Sequence, residues 1–325
     1  MRRRPRSASL APASGVVALL IADIVLVTLA VRYTAPLAPG ALPKTTATST
    51  PKQAPSTSLP PTGSASPTSS GGPSAKPVEP LPLRNSIVAL SGAVAWRTSS
   101  GSCDGGGGSV SVTSDGGKTW SRSAVPAQVV IRVRPKNEID ATVIATERDC
   151  RSGVRLTADG GSTWSVPTSA DGTWFRDAKD PLVVHSPAPR SDRPCGDAAV
   201  LDLAPLTMST AHVLCGDGLV RVSDDTGAFW KAVGVVPQAL ALDSRVEKAA
   251  DTAYVVRVGE GCAGLQVVRV EPTSASAQPL GCVDVSGGPV EPGTITLSVN
   301  GPNGWLGVGE RIWRSTDDLR TWASG

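Results

Sequence analysis

Few residues in this chain are of types that carry chemistry, and their spacing decides which kind. Two histidines, His185 and His212, are all that 325 residues offer for acid–base work near neutral pH. His212 stands beside Val213 and Leu214 in an apolar run and reads as a core position; His185 lies in a Pro-rich stretch and reads as a surface residue. No nucleophile-elbow spacing accompanies either, so a Ser/His/Asp triad has no support. Six cysteines, Cys103, Cys150, Cys195, Cys215, Cys262 and Cys282, show no CxxC spacing and stand apart from the histidines. That argues against a metal centre, and no cofactor is implied. The Gly105–Gly108 run lacks the Lys-Ser/Thr and helix of a phosphate loop. Asp115, Asp159, Asp225 and Asp317 look like a carboxylate set, but each falls inside the same short motif and reads as a turn residue. No catalytic residue is assigned. What remains is a basic and aromatic group, Arg148, Arg151, Trp174, Arg176, Arg190 and Arg193. Guanidinium groups beside an exposed indole suit a carboxylate, a glycan or a protein hot spot.

The elements that must position these residues are announced by a repeat. Thr113-Ser114-Asp115-Gly116-Gly117-Lys118-Thr119-Trp120 recurs as Thr157-Ala158-Asp159-Gly160-Gly161-Ser162-Thr163-Trp164. Ser223-Asp224-Asp225-Thr226-Gly227-Ala228-Phe229-Trp230 has Phe229 in the Thr slot, and the copy from Ser315 through Asp317 to Trp322 lacks the glycine. Each follows a short alternating apolar run such as Val110-Ser111-Val112. The types fit a hairpin turn: the Asp accepts N–H bonds of its own turn, Gly117, Gly161 and Gly227 permit a positive φ, and the Trp carries a large apolar area into the next strand. The pattern resembles the Asp-box, or BNR, repeat of β-propellers, a family that includes sialidases, sortilin-type receptors and photosystem II assembly factors. The resemblance covers roughly residues 85–325 and implies an all-β fold of four-stranded antiparallel blades.

Motif tryptophans at 120, 164, 230 and 322 are separated by 44, 66 and 92 residues. Blades run about 40–50 residues, so 92 is two blades with one turn, near Pro272–Ala277, that has lost its motif. The 66-residue gap reads as one blade plus an insertion over Asp171–Cys195. Five blades are favoured, with six open if one is degenerate. The chain enters on an inner strand and stops on an outer one, so no interlocking closure strand is expected. The six cysteines fall at the ends of second and fourth strands or before a first strand, which puts them all on one face, opposite the motif turns. Fifteen pairings are open. The blade positions favour Cys195–Cys215 and Cys262–Cys282 within blades and Cys103–Cys150 between two.

By the same resemblance, ligands meet the loops on the cysteine-bearing face, where the arginines and Trp174 fall. The enzymatic relatives, sialidases, use an Arg triad, a Tyr nucleophile with a Glu partner and an Asp acid/base. Here the only tyrosines are Tyr33 and Tyr254, neither placed for that role, so sialidase chemistry is not expected.

Charge separates the chain into two parts. Residues 85–325 hold 22 of the 31 basic and 26 of the 28 acidic residues, a net charge of about −4 that argues against a nucleic-acid surface. Residues 1–9 are a basic tail with Arg2, Arg3, Arg4 and Arg6. Residues 10–31 are apolar apart from Asp23 and long enough, at ~20 residues, for an uncleaved membrane helix with the N-terminus in the cytoplasm. A cleaved signal peptide is the rival reading. Asp23 is either tolerated there or faces a partner helix. Residues 32–84 are Pro/Ser/Thr-rich, a composition that cannot bury a core and should form a disordered or polyproline-like stalk. An even cysteine count confined to the exported part fits disulfides in an oxidising compartment. The expectation is a single-pass membrane protein with its propeller outside the cell. It would act as a non-enzymatic binding or assembly module for a protein or an envelope glycan, the alternative being a hydrolase or lyase of envelope polysaccharide.

Overall fold

Short alternating runs give strands, and the polar turn residues between them give tight antiparallel reversals. The computed structural model describes residues 84–188, 190–247, 250–259, 261–271, 274–285, 290 and 293–325, all within one compact unit, Gly71–Gly325. The first sheet comprises β1 (Asn85–Ala89), β2 (Ala95–Ser99), β3 (Ser109–Thr113) and β4 (Ser121–Ala124). The second comprises β5 (Val130–Pro135), β6 (Ala141–Thr146), β7 (Ser152–Thr157) and β8 (Thr168–Ser169), and the third only β9 (Phe175–Arg176), β10 (Val184–Ser186) and β11 (Arg190–Asp192). The fourth has β12 (Val200–Pro205), β13 (Ala211–Cys215), β14 (Leu219–Ser223) and β15 (Lys231–Val235). The fifth has β16 (Ala239–Glu247), β17 (Ala250–Val258), β18 (Leu265–Glu271) and β19 (Ser274–Val283), and the sixth β20 (Ile295–Asn300), β21 (Asn303–Val308), β22 (Arg311–Ser315) and β23 (Ala323–Ser324). Strands in each sheet are hydrogen-bonded in sequence order. The protein is a six-bladed β-propeller, so the favoured count of five is corrected. The segment read as an insertion is a blade whose strands, two or three residues long, fall below the ~5–6 at which alternation becomes visible. The 92-residue gap does hold two blades, and the motif-free turn falls where Glu271 pairs with Ser274. The fourth strand of the second blade begins at Thr168, beyond Pro167, which has no N–H to give a ladder.

The core is divided among the seams between blades. Six apolar clusters each join two neighbours: Trp96 and Val110 to Val133 and Val143, Ile144 to Phe175, Trp174 to Val213, Leu214 to Val255, Val267 to Leu306, and Trp305 to Ala89. Each motif tryptophan packs into the seam with the blade before its own: Trp120 meets Trp305 edge-on at 6.2 Å, and Trp230 meets Trp174 at 5.9 Å.

Among the described residues no strand crosses between the first and last sheets. The ring is closed there mostly by side chains, beside one backbone bond, Arg84 N–H to Gly293 O at 3.0 Å. Ser298 Oγ accepts Ala89 N–H at 2.9 Å, Asn300 Nδ2 donates to Ala89 O at 3.1 Å, and Trp305 Nε1 donates to Ser91 O at 2.9 Å. Further round, Asp202 Oδ2 accepts Leu242 N–H at 2.9 Å and Asp243 Oδ2 accepts Val299 N–H at 2.6 Å. Inner strands of successive blades are thus stapled by polar side chains (Asp202, Asp243, Ser298) onto backbone donors that a missing ladder would leave unpaired.

Disulfides join Cys103–Cys150, Cys195–Cys215 and Cys262–Cys282, with Cα–Cα separations of 5.5–5.8 Å. These are the pairs that the blade positions favour; the first links two blades. The expected membrane helix at residues 10–31, Asp23 and the stalk lie outside the described residues. Among the described residues no helix is long and apolar enough to cross a membrane.

Candidate functional site

The third blade departs from the others at its inner edge. Trp96 in β2 and Trp305 in β21, both on second strands, send their indole N–H to the carbonyl of Asn137 at 3.0 Å and of Ser91 at 2.9 Å, each in the first hairpin of the following blade. Trp174 does the same to Thr207 O at 3.1 Å. Trp174 leads into β9, so β9 occupies the place of a second strand, β10 a third and β11 a fourth. The turn glycines agree: a Cβ on Gly117 would meet Trp305 and Ile312 of the blade before, and one on Gly227 would meet Trp174 and Ser186. What the third blade lacks is the inner strand, the one that faces the axis. Phe175 and Arg176 of β9, with the loop Asp177–Pro181, stand there instead.

A cavity of about 440 Å³ occupies the axis. Its wall draws on the inner strands β1, β5, β12, β16 and β20 and, at the gap, on β9 and its loop. Ile87, Ile131, Phe175, Leu242 and Leu297 make much of it apolar, while Arg132, Arg176, Asp202 and Asp243 supply charge. Asn85, Ser100, Val129 and Lys179 mark the end where inner strands begin, the cysteine-bearing end. The size suits a small-molecule site.

Charge this deep is costly unless it is paired or hydrogen-bonded. Asp202 accepts Leu203 N–H on Oδ1 and Leu242 N–H on Oδ2, both at 2.9 Å; burial still raises its pKa above the usual carboxylate range. Burial likewise pushes Asp243 up to about 7, against the Val299 N–H bond and with some help from the Asp202 charge. Arg176 Nη1 donates to Leu201 O at 2.8 Å, but its Nε, although buried, has no partner. Arg132 has still fewer partners: its Nη1 is buried and unpartnered, and among the described residues it forms neither hydrogen bond nor ion pair. Burial lowers its pKa to about 10, so it remains charged at neutral pH. At the rim, Asp177 is held at about 2, first by its bond with His185 Nε2 at 2.9 Å, and the His185 ring stacks on Phe175 at 4.3 Å.

The six residues singled out in the sequence are dispersed. Arg176 alone lines the cavity. Trp174, read as exposed, is 4% exposed, because its indole is the wedge between the third and fourth blades. Arg148 and Arg190 are exposed; Arg151 pairs with Asp149, and Arg193 with Asp180 at 3.1 Å. Lys179 Nζ reaches Asp149 O at 3.1 Å and ties the loop of the third blade to the 147–151 loop. Arg132, Asp202 and Asp243 escaped sequence reasoning. Their signal is a charge set inside an apolar inner strand, as in Val130-Ile131-Arg132-Val133 and Leu201-Asp202-Leu203. Among the described residues no group of His, Cys, Asp and Glu could hold a metal ion.

No protein-family profile matches the chain, and no curated protein sequence does. Solved structures that share the architecture include Ycf48 bound to D1 peptide, at 14% identity over 75% of this chain and 82% of that one with a TM-score of 0.28. The Aleuria aurantia lectin, in complex with Fucα1-6GlcNAc, is 10% identical over 74% of this chain and 94% of that one, with a TM-score of 0.47. The Trypanosoma rangeli sialidase is 12% identical over 74% of this chain, which spans 52% of its length, with a TM-score of 0.41. The chain spans only 38% of the length of the GH74 xyloglucanase of Xanthomonas campestris, which it also matches. Likeness at this level concerns the fold alone. The class is that of β-propellers.

Proposed function

We propose that this protein is a non-enzymatic binding module built on an Asp-box propeller, with its ligand seated in the axial cavity and its partner a protein or an envelope component. One observation carries the reading: the inner strands and β9 converge on a cavity that holds a guanidinium, Arg132, with a buried Nη1 that has no hydrogen-bond partner among the described residues. The four repeated turns support the Asp-box assignment. Asp115, Asp159 and Asp317 each accept the N–H and hydroxyl of the Thr four residues on, at 2.6–3.0 Å, and Asp225 accepts Phe229 N–H at 3.0 Å. Placement outside the cell on a single N-terminal anchor belongs to the same proposal, supported by the basic and apolar residues 1–31 and by three disulfides. The test is photo-crosslinking of the full chain in its native membrane, from a photoreactive residue at Ser86 or Ala178 at the cavity and at Ser123 or Val235 on the rim. Adducts from the first pair support the cavity; adducts from the second pair alone end the proposal.

A second reading, hydrolysis of an envelope glycan, draws on Asp202 and Asp243 in one cavity with Asp243 titrating near neutrality, as an acid catalyst would. Both carboxylates hold a backbone N–H of the next blade, which accounts for them without chemistry. Turnover of envelope polysaccharide that disappears in Asp243→Asn would establish this reading over the first.

A further inference from the structure

We propose that the axial cavity takes a monovalent organic carboxylate with an apolar body, its carboxylate on Arg132 and Arg176 and its body against Ile131, Phe175, Leu242 and Leu297. The inference rests on the cavity being the ligand site and deepens it to a chemical class. Arg132 has no acceptor among the described residues, and Arg176 has an unsatisfied Nε. A guanidinium out of water needs acceptors, and a carboxylate meets its fork geometry best. The fold meets little of that need: beyond Leu201 O, which takes Arg176 Nη1, no hydrogen bond to either guanidinium forms among the described residues, and both oxygens of Asp202 and one of Asp243 already accept backbone N–H groups. The apolar wall selects against a fully hydroxylated sugar and for an alkyl or aryl body.

Charge favours a ligand with one negative unit. Facing the seat are Arg132 from β5, Arg176 from β9, Asp202 from β12 and Asp243 from β16; β1 and β20 contribute no charge. At the mouth stand Lys179 and Asp177, the latter paired with His185. Two guanidinium groups stand against two carboxyl groups whose pKa values burial raises, so positive charge is in excess, and one carboxylate matches it with less repulsion from the aspartates than a dianionic phosphate. Ionisation of Asp243 removes that excess, so affinity should fall as pH rises through about 7.

The experiment is calorimetric titration of the full chain in lipid nanodiscs with 2-naphthoate, its neutral counterpart 2-naphthamide and the dianion 2-naphthyl phosphate. Naphthoate should bind at least tenfold more tightly than either. Arg132→Gln should lose at least tenfold for naphthoate and leave naphthamide unchanged. Naphthoate affinity should drop severalfold between pH 6 and 8 in the natural protein and stay flat in Asp243→Asn. Equal binding of naphthoate and naphthamide, tighter binding of the phosphate, or an unaffected Arg132→Gln variant overturns the proposal. Should Arg132→Gln not fold, the three-ligand comparison on the natural protein decides alone. Naphthoate failing while native crosslinks still map to the cavity sinks the carboxylate class and spares the cavity; crosslinks confined to the rim sink both.

Discussion

A glycine in three of the repeated turns and a leucine in the fourth occupy the same backbone state. Gly117, Gly161 and Gly227 have φ of 85–90°, and Leu319 has φ 67°. Leu319 bears that conformation because its side chain is fully buried against the fifth blade. In the same turns Asp159 and Asp317 are held at about 2 and Asp115 lower still, by hydroxyl and N–H donors of the Thr four residues on. A folded-state pKa below the ordinary 3.8 means that the stabilisation is present above about 4 and is lost as pH falls toward 2. Thermal melts of Asp159→Ala should therefore show a deficit at pH 5 that narrows between pH 4 and 2; a deficit independent of pH would refute the linkage. His212 works in the same direction at higher pH. It is fully buried, neither ring nitrogen has a partner among the described residues, and burial lowers its pKa to about 4. The unfolded chain gains a proton near 6.5 that the folded one refuses, so roughly 3 kcal/mol of stability should be lost from pH 6.5 to 4, at about 1.4 kcal/mol for each pH unit. His212→Leu should remove that slope in denaturant titrations at the two pH values, with no loss at pH 7.5.

Among the elements, the third blade is held with the least secondary structure. Its sheet has three short strands, and its anchorage comes from Trp174 in the seam and from loops tied to neighbours through Lys179 and through Arg221 Nη1 on Pro194 O at 2.8 Å. One disulfide borders it and another ties the two blades before it. Cys195–Cys215 joins the segment after β11 to β13, and Cys103–Cys150 joins the first two blades. The latter closes a loop 47 residues long, so replacing both cysteines by Ala should cost about 2–4 kcal/mol in chemical denaturation. A cost below about 1 kcal/mol would show that the seam between those blades is already fixed by packing alone.

For the molecule as a whole, the weak point of a propeller without an interlocking strand is the seam where first and last blades meet. Ser298, Asn300, Trp305 and Arg314 carry side-chain hydrogen bonds across it, beside the backbone bond from Arg84 N–H to Gly293 O. Ser298 is buried, and Ser298→Ala leaves the Ala89 N–H without an acceptor, which should cost about 1–3 kcal/mol. Hydrogen exchange should quicken first in β1 and β20. Uniform acceleration around the ring would mean that the blades open together instead.

What the sequence determined by itself is periodic and local. A turn motif is legible because Asp115, Gly117 and Trp120 each answer a need of one hairpin, and the Cys positions are legible because they follow from strand ends. The membrane helix expected at residues 10–31 and the stalk expected at 32–84 rest on local composition of the same kind and lie outside the described residues. The blade count needed the fold: β9 to β11 are too short to alternate and are held by packing at both seams. The site needed it too. Arg132, Arg176, Asp202 and Asp243 lie in four different blades, and only radial closure brings their side chains to one axis, where burial shifts their titration and leaves Arg132 without a hydrogen-bond partner among the described residues.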